Sequence, residues 1–182
     1  MNHVGTIPFE TARLLCRPFE PGDASEMLKN WAANPHIQLE YGEPVYTGFL
    51  AVSALLAKYI AAYADPGVYR WAIIEKQSGE NIGQIAFCKV WEDCAAAEIE
   101  YCIGEAFWGQ GYAGEALEAL IAFAFQHTEF VRLEAYHRAE NVKSGRVLEK
   151  SQMHRTHTVE RFLRANEEPA GEVCYCIEKG EV

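Results

Sequence analysis

Positive charge is in short supply in this chain: 16 Lys and Arg stand against 26 Asp and Glu, for a formal net charge of −10 at pH 7. That argues against nonspecific nucleic-acid binding, which needs a basic surface. The same deficit suits a cationic ligand such as an amine or basic peptide, and it also suits plain solubility. Long apolar runs are missing too. The longest, Ala116 to Phe125, is broken by Glu118 and falls short of a membrane span. The opening Met1-Asn-His-Val-Gly-Thr-Ile-Pro8 has no basic stretch followed by an apolar one, so no secretory signal is expected. The six cysteines (Cys16, Cys88, Cys94, Cys102, Cys174, Cys176) contain no Cys-x-x-Cys pair and no zinc spacing. Most sit in strand-like apolar stretches and read as small buried hydrophobes of a reducing compartment, so a cytoplasmic location is expected. His36, His127, His137, His154 and His157 have no ligand spacing either, and no metal is expected. Internal repeats and low-complexity segments are absent.

What the chain does have is a glycine-rich stretch between a strand-like run and a helix-like one. Glu98-Ile-Glu-Tyr-Cys-Ile-Gly104 carries β-formers, Glu105-Ala-Phe-Trp108-Gly-Gln-Gly-Tyr-Ala-Gly114 follows, and Glu115 to Gln126 is a good helix. Strand, glycine loop and helix start make a phosphate cradle, because glycines let the backbone approach closely and the first helical turn presents unpaired N–H groups. No lysine follows, as a Gly-x-x-x-x-Gly-Lys-Ser/Thr loop would require. Gly109, Gly111 and Gly114 match Gly-x-Gly-x-x-Gly, yet no second parallel strand with an acidic ribose partner lies at the expected distance. A glycine-bearing turn that binds nothing is the structural alternative.

Taken in order, residues 10–19 read as a strand and Asp23 as the N-cap of a helix to about Trp31, ended by Asn34-Pro35. Residues 36–46 read as loop. Thr47 caps a second helix to about Tyr63, with Leu50, Ala54, Leu55, Tyr59 and Ala62 as its buried stripe. Tyr69–Lys76, Ile82–Trp91 and Ala96–Gly104 form an antiparallel meander, with Gly83 a candidate bulge. A helix over 113–126, a strand over Val131–Tyr136, a helix over Asn141–Lys150 and a hairpin of Arg155–Leu163 with Glu172–Ile177 complete the chain.

The segment Tyr101-Cys-Ile-Gly-Glu-Ala-Phe-Trp108-Gly-Gln-Gly-Tyr-Ala-Gly-Glu-Ala-Leu117 resembles the acetyl-CoA-binding segment of the GNAT N-acetyltransferases. It is most similar to the branch containing the ribosomal-protein N-terminal alanine acetyltransferases. That family's loop is Gln/Arg-x-x-Gly-x-Gly/Ala. Gly111 and Ala113 fill its last two anchors, and Trp108 replaces the Gln/Arg, as is usual in that branch. Thr11-Ala-Arg-Leu-Leu-Cys-Arg17 looks like the family's opening Thr-x-Arg-Leu-x-Leu-Arg. The resemblance spans nearly the whole chain, so residues 1–182 are expected to form a single acetyltransferase domain. It implies a mixed α/β fold whose mostly antiparallel central sheet has about seven strands flanked by about four helices. The sheet splays between its two central strands, where acetyl-CoA sits.

The resemblance also implies a site. Backbone amides of Trp108, Gly109, Gln110, Gly111, Tyr112, Ala113, Gly114 and Glu115 would hold the pyrophosphate of acetyl-CoA. Glu115 lies at the favourable end of the helix dipole and can equally be a structural partner. A backbone N–H of Cys102 or Ile103, at the end of the splayed strand, would face the thioester oxygen as it becomes an oxyanion. Cys102 has no His, Lys or Arg in its flanks to activate it, so packing is preferred to a nucleophilic role. Asn141-x-x-Ser144 resembles the family's Asn-x-x-Ala/Ser, whose Asn touches the pantetheine arm, and an N-cap role for Asn141 is compatible. Leu148 stands where many members have a general-acid Tyr, which leaves water or Ser144. Ser151-Gln-Met153 departs from the expected Leu-Gly-Phe.

For the base, period two places Glu98, Glu100 and Cys102 on one strand face. Ala97-Glu98-Ile99 is similar to the segment carrying the glutamate base of the histone-acetylating members. Glu98 is therefore the first choice and Glu100 the second, with solvated strand residues as the alternative. The expected activity is acetyl transfer to a primary amine, by branch a protein or peptide N-terminus, by direct attack in a ternary complex. A small amine (polyamine or antibiotic), a non-catalytic acyl-CoA-binding protein and an ATP-binding loop are the alternatives. Residues 36–46 and 164–171 are expected to line the acceptor site, with the chain a monomer or homodimer.

Overall fold

Alternating apolar residues give the chain one continuous sheet. In the computed structural model, which describes residues 1–161 and 170–181, the strands are β1 (Phe9–Glu10), β2 (Leu14–Arg17), β3 (Tyr69–Glu75), β4 (Asn81–Trp91), β5 (Ala96–Ile103), β6 (Arg132–Arg138), β7 (His154–Arg161) and β8 (Ala170–Glu178). Their order is β1-β2-β3-β4-β5-β6-β8-β7. Only the β5–β6 pair is parallel. The helices are α1 (Ala24–Met27), α2 (Pro35–Tyr41), α3 (Phe49–Ala62), α4 (Tyr112–His127) and α5 (Val142–Glu149). Among the described residues there are thus eight strands and five α-helices, one more of each than the sequence implied. The mixed, mostly antiparallel, splayed architecture is as expected.

Both sheet faces are covered. On one, Trp71, Phe87, Ile99 and Ile103 pack with Leu117, Leu120, Ile121 and Phe123 of α4. On the other, Ala72, Ile74 and Cys102 pack with Met27, Trp31, Val52 and Leu56 from the α1–α3 side. Each fully buried side chain of this size contributes about 1.5–3 kcal/mol.

Several local expectations are corrected. The helical run from Ala24 ends at Ala32, just before Asn34-Pro35 as expected, but the pair also starts a further helix. Asn34 Oδ1 accepts from the N–H groups of His36 and Ile37, Pro35 occupies the first turn where its missing N–H is harmless, and Gly42 closes α2 at φ 72°. Much of 36–46 is therefore helix, not loop. Asp23 holds the N-cap position of α1 but its side chain makes no capping bond to that helix; it ends a 3-10 turn, Pro21–Asp23, where its carboxylate accepts from Glu20 N–H and from Arg17. Gly48, not Thr47, precedes α3, whose buried residues are Val52 and Leu56, while Leu50 is 83% exposed. The β3–β4 irregularity falls at Ile82, next to Gly83, and a second one at Cys88 lies within β4. The closing hairpin forms as read, although residues 162–169, which include the end of its first expected strand and most of 164–171, lie outside the described residues.

Candidate active site

The site begins where the sheet fails. β5 and β6 pair only over Ala96–Ile99 with Arg132–Ala135, and beyond that point they part. The parting opens into a cleft of about 1140 Å³ lined from both sheet faces. Gly104 N–H donates to the Ile82 carbonyl at 2.8 Å, and Cys102 sits opposite Gln84 in the same register. Strand alternation then turns the N–H of Cys102 toward β4, and those of Tyr101 and Ile103 toward the parting. Of the two expected oxyanion donors, Ile103 faces the opening and Cys102 does not. The Ile103 carbonyl is already engaged, accepting from Trp108 Nε1 at 2.7 Å. Close approach of β4 fixes this strand. A Cβ on Gly83 would stand 2.2 Å from the Cys102 carbonyl oxygen.

The loop and the start of α4 form one wall. Gly111 precedes the helix at φ 82°, and no side chain caps it. The first-turn N–H groups of Tyr112, Ala113 and Gly114 are thus left for a ligand. Gly114 has no strained dihedral, and a Cβ there would meet nothing within 4 Å. A glycine inside a helix destabilises it by about 1 kcal/mol relative to alanine. Packing gives no reason for it, whereas a ligand lying across the turn does. Lys143, Arg146 and Lys150 of α5 line the same side, and Lys143 Nζ sits 3.7 Å above the Trp108 ring. In a chain of net charge −10, this is a basic edge beside a bare helix N-terminus, and it fits a polyphosphate.

Glu115 is the structural partner there. Its carboxylate takes the Thr11 hydroxyl, the Arg13 N–H at 3.0 Å and Arg13 Nε at 2.6 Å. Arg13 Nη1 also reaches the Gln110 carbonyl at 3.0 Å, fastening the loop to the β1–β2 turn. Burial raises the Glu115 pKa, but the bonds from Thr11 and Arg13 outweigh it and hold the carboxyl below its ordinary value. Tyr112 is buried, and its hydroxyl donates to Glu75 at 3.0 Å.

Opposite, Asn141 caps α5 by accepting from Ser144 N–H at 3.1 Å. Ser144 Oγ lies 3.0 Å from the Tyr101 hydroxyl. Burial pushes Tyr101 up to about 12, opposed by the Ser144 bond, so the phenol keeps its proton at neutral pH. Leu148 is fully buried, as befits a core residue and not an acid. Tyr101 was missed in the sequence, although period two puts it on the face opposite Glu98 and Glu100, the face that α4 and α5 cover.

On the other sheet face, the two glutamates each have an arginine. Glu98, 8% exposed, accepts from Arg161 Nη2 on both oxygens, at 2.9 and 3.1 Å. Glu100 accepts from Arg70 Nη2 at 2.7 Å and from the Tyr41 hydroxyl at 2.9 Å. Tyr41 is on α2, so the 36–46 segment does reach the cleft, as His36 and Leu39 also do. Burial pushes the Cys102 thiol up to about 12, with Glu100 adding to the rise, which disfavours a thiolate nucleophile. Glu172 and Tyr136, not singled out in the sequence, line this side too.

The profile of the acetyltransferase (GNAT) domain matches residues 13–154. The chain belongs to the GNAT family. This GNAT chain is 25% identical over 170 residues to the N-acetyltransferase YoaA of Bacillus subtilis, itself described as uncharacterized, covering 93% of this chain and 96% of that one. A ribosomal-protein alanine acetyltransferase from Vibrio fischeri superposes with a TM-score of 0.79 at 16% identity, over 96% of this chain and 97% of the other. The microcin self-immunity acetyltransferase MccE, solved with acetyl-CoA and AMP, superposes with a TM-score of 0.80 at 14% identity, over 92% and 93%. The two structures share the fold; the family match makes this chain an acetyltransferase.

Proposed function

We propose that the chain transfers an acetyl group from acetyl-CoA to a primary amine, the N-terminal amine of a protein or peptide in the first instance. The observation that carries the reading is the two-sided cleft. A bare helix N-terminus with a basic edge lies on one sheet face, carboxylates lie on the other, and the two meet where β5 and β6 part. Backbone amides of Gly109–Gly114, with Asn141 and the α5 lysines, would hold the cofactor, while Trp108 braces the loop through Ile103. When bound, acetyl-CoA supplies the thioester that makes the acyl group transferable.

The chain's own groups do the rest. The N–H of Ile103 is aimed at the opening, where it can donate to an oxygen gaining negative charge. Ser144 and Tyr101 hold hydroxyl protons within one hydrogen bond of each other, close to the α5 N-terminus, and stand in for the acid that Leu148 cannot be. The acidic face draws the acceptor as its ammonium form, which must lose a proton before it attacks directly. The peptide reading is supported by the likeness to the Vibrio fischeri structure, a ribosomal-protein alanine acetyltransferase. No helix among the described residues is long and apolar enough to cross a membrane, which accords with the cytoplasmic location proposed here.

Calorimetric titration with acetyl-CoA, with desulfo-CoA and ATP as controls, tests the cofactor. Peptides starting with Ala or Ser, run beside polyamines and aminoglycosides, test the acceptor. Acetyl-CoA binding that ATP does not contest, with turnover on peptides, is expected. Turnover only on small amines moves the acceptor class, and binding without any turnover leaves an acyl-CoA sensor.

A further inference from the structure

On the acidic face of the cleft, the carboxylates are bonded unequally. Arg161 on β7 gives Nη2 to both oxygens of Glu98 on β5, and its Nη1 stands 3.3 Å from Oε2 of Glu172 on β8. Its guanidinium lies over the Tyr136 ring at 4.1 Å. Arg161 thus reaches two carboxylates, and it serves them unequally. Glu98 is hydrogen-bonded on both oxygens. Among the described residues Glu172 Oε2 has no hydrogen-bond donor although the residue is only 4% exposed, and Arg161 Nη1 reaches it as a charge contact alone. The neighbouring Glu100 differs, because Arg70 and Tyr41 both donate to it.

A buried carboxylate oxygen without a donor is destabilising by about 1–3 kcal/mol or more, and a ligand with a positively charged donor removes that penalty. Glu172 is part of the cleft wall with Oε2 itself covered, so such a ligand approaches its carboxyl from the cleft and meets Oε2 only as the covering side chains shift. The primary ammonium of an acceptor has the required chemistry: positive charge and N–H donors. We infer that Glu172, with Arg161 hydrogen-bonded to both oxygens of Glu98, receives the acceptor's ammonium group and takes its proton. The inference rests on the acetyl-transfer reading above. One proton passes from the ammonium nitrogen to Glu172 Oε2, and the bonding pair stays on nitrogen as the nucleophilic lone pair. A cation and a carboxylate thereby become a neutral amine and a carboxylic acid.

The charged and titratable groups facing Glu172 are Arg161 from β7, Glu98 from β5, and Arg138 and Tyr136 from β6. Burial raises the Glu172 carboxyl above its ordinary value, Arg161 opposes this, Glu98 adds to the rise, and Arg138 opposes it again. The net shift is upward, toward the pH at which a general base works best. Glu98 becomes a positioning residue: it takes both hydrogen bonds of Arg161 Nη2 and leaves Glu172 the longer Nη1 contact alone.

The test is carbon-13 NMR of side-chain carboxyls in Glu-labelled protein, with methylammonium as the probe, beside pH–rate profiles of wild type, E172Q, E172D and E98Q. The expected result has three parts. One carboxyl titrates above the others and disappears in E172Q. Methylammonium moves its midpoint down, because a cation favours the ionised form. With an Ala-starting peptide as acceptor, E172Q loses about 100-fold or more in kcat/KM at an unchanged acetyl-CoA Kd, and E172D restores part of it with a displaced acid limb. The inference is overturned if no carboxyl titrates high, if the high one is lost in E98Q instead, or if E172Q keeps the wild-type pH profile. Failure of the acetyl-transfer reading shows separately, as wild-type protein that neither binds acetyl-CoA nor acetylates any amine.

Discussion

Replacing Gly83 with alanine puts the geometry of the parting to the test. The added methyl would sit 2.2 Å from the Cys102 carbonyl oxygen, 3.0 Å from Ile103 Cδ1 and 3.1 Å from Ile103 Cα. Two of these atoms are backbone, so no rotamer change relieves the contact. The carbonyl must retreat by about 1 Å to reach ordinary contact. That opens the rung between Gln84 and Cys102 and shifts β5 where it lines the cleft. Overpacking costs about 1–3 kcal/mol. Weakening one ladder hydrogen bond adds about 1 kcal/mol. The sum is roughly 2–4 kcal/mol, and at about 2–4 °C per kcal/mol the Tm falls by roughly 5–15 °C. Gly114→Ala is the matched contrast. Nothing lies within 4 Å of its new methyl, so the helix should gain roughly 0.5–1 kcal/mol while acetyl-CoA binding weakens. Thermal unfolding and calorimetry on both variants decide the matter. A Gly83→Ala protein within about 2 °C of wild type would refute the packing argument. A Gly114→Ala protein with unchanged acetyl-CoA affinity would refute the cradle.

Tyr101→Phe removes the hydroxyl paired with Ser144 and should lower kcat by roughly tenfold to a hundredfold with little change in acetyl-CoA binding, read by steady-state kinetics. Glu115→Gln should destabilise the protein, most of all above pH 5. The Glu115 carboxyl is held below its unfolded value of 4.5, so its contribution is present above that value and is lost as pH falls through the folded one; urea midpoints across pH report it. For Glu172 the sign reverses. Its raised pKa makes wild type lose stability relative to Glu172→Gln as pH climbs from the ordinary carboxylate range through the folded value. Iodoacetamide at neutral pH should label exposed Cys94 while sparing Cys102, whose thiol is buried and held up to about 12; peptide mass spectrometry distinguishes them.

The meander, α4 and α5 were legible because their periods are strong and glycines or turn residues bracket them. Helix α2 was not, because Asn-Pro carries two meanings: it ends one helix and caps the next, and only the Asn34 hydrogen bonds decide which. The cradle could be read because backbone chemistry leaves glycines behind. Partners distant in sequence could not be read. Nothing local announces that Arg13 fastens the loop, that Arg161 occupies Glu98, or that Tyr101 meets Ser144. Period two did sort the β5 side chains correctly between faces, yet the choice among glutamates turned on which of them an arginine had already taken.

The short parallel contact between β5 and β6 has a consequence for how the protein is made. Strands β1–β5 follow one another in sequence, as do β6–β8 with α5, and each group is joined internally by antiparallel pairing. The β3–β4, β4–β5 and β7–β8 pairs close over short stretches of chain, whereas the parallel contact requires α4 to be folded and carried across first. The β3–β5 meander should therefore form early and β6, which carries the other wall of the cleft, dock late. Because the cleft exists only between them, a folding intermediate can hold most of its native hydrogen bonds and still have no place for acetyl-CoA.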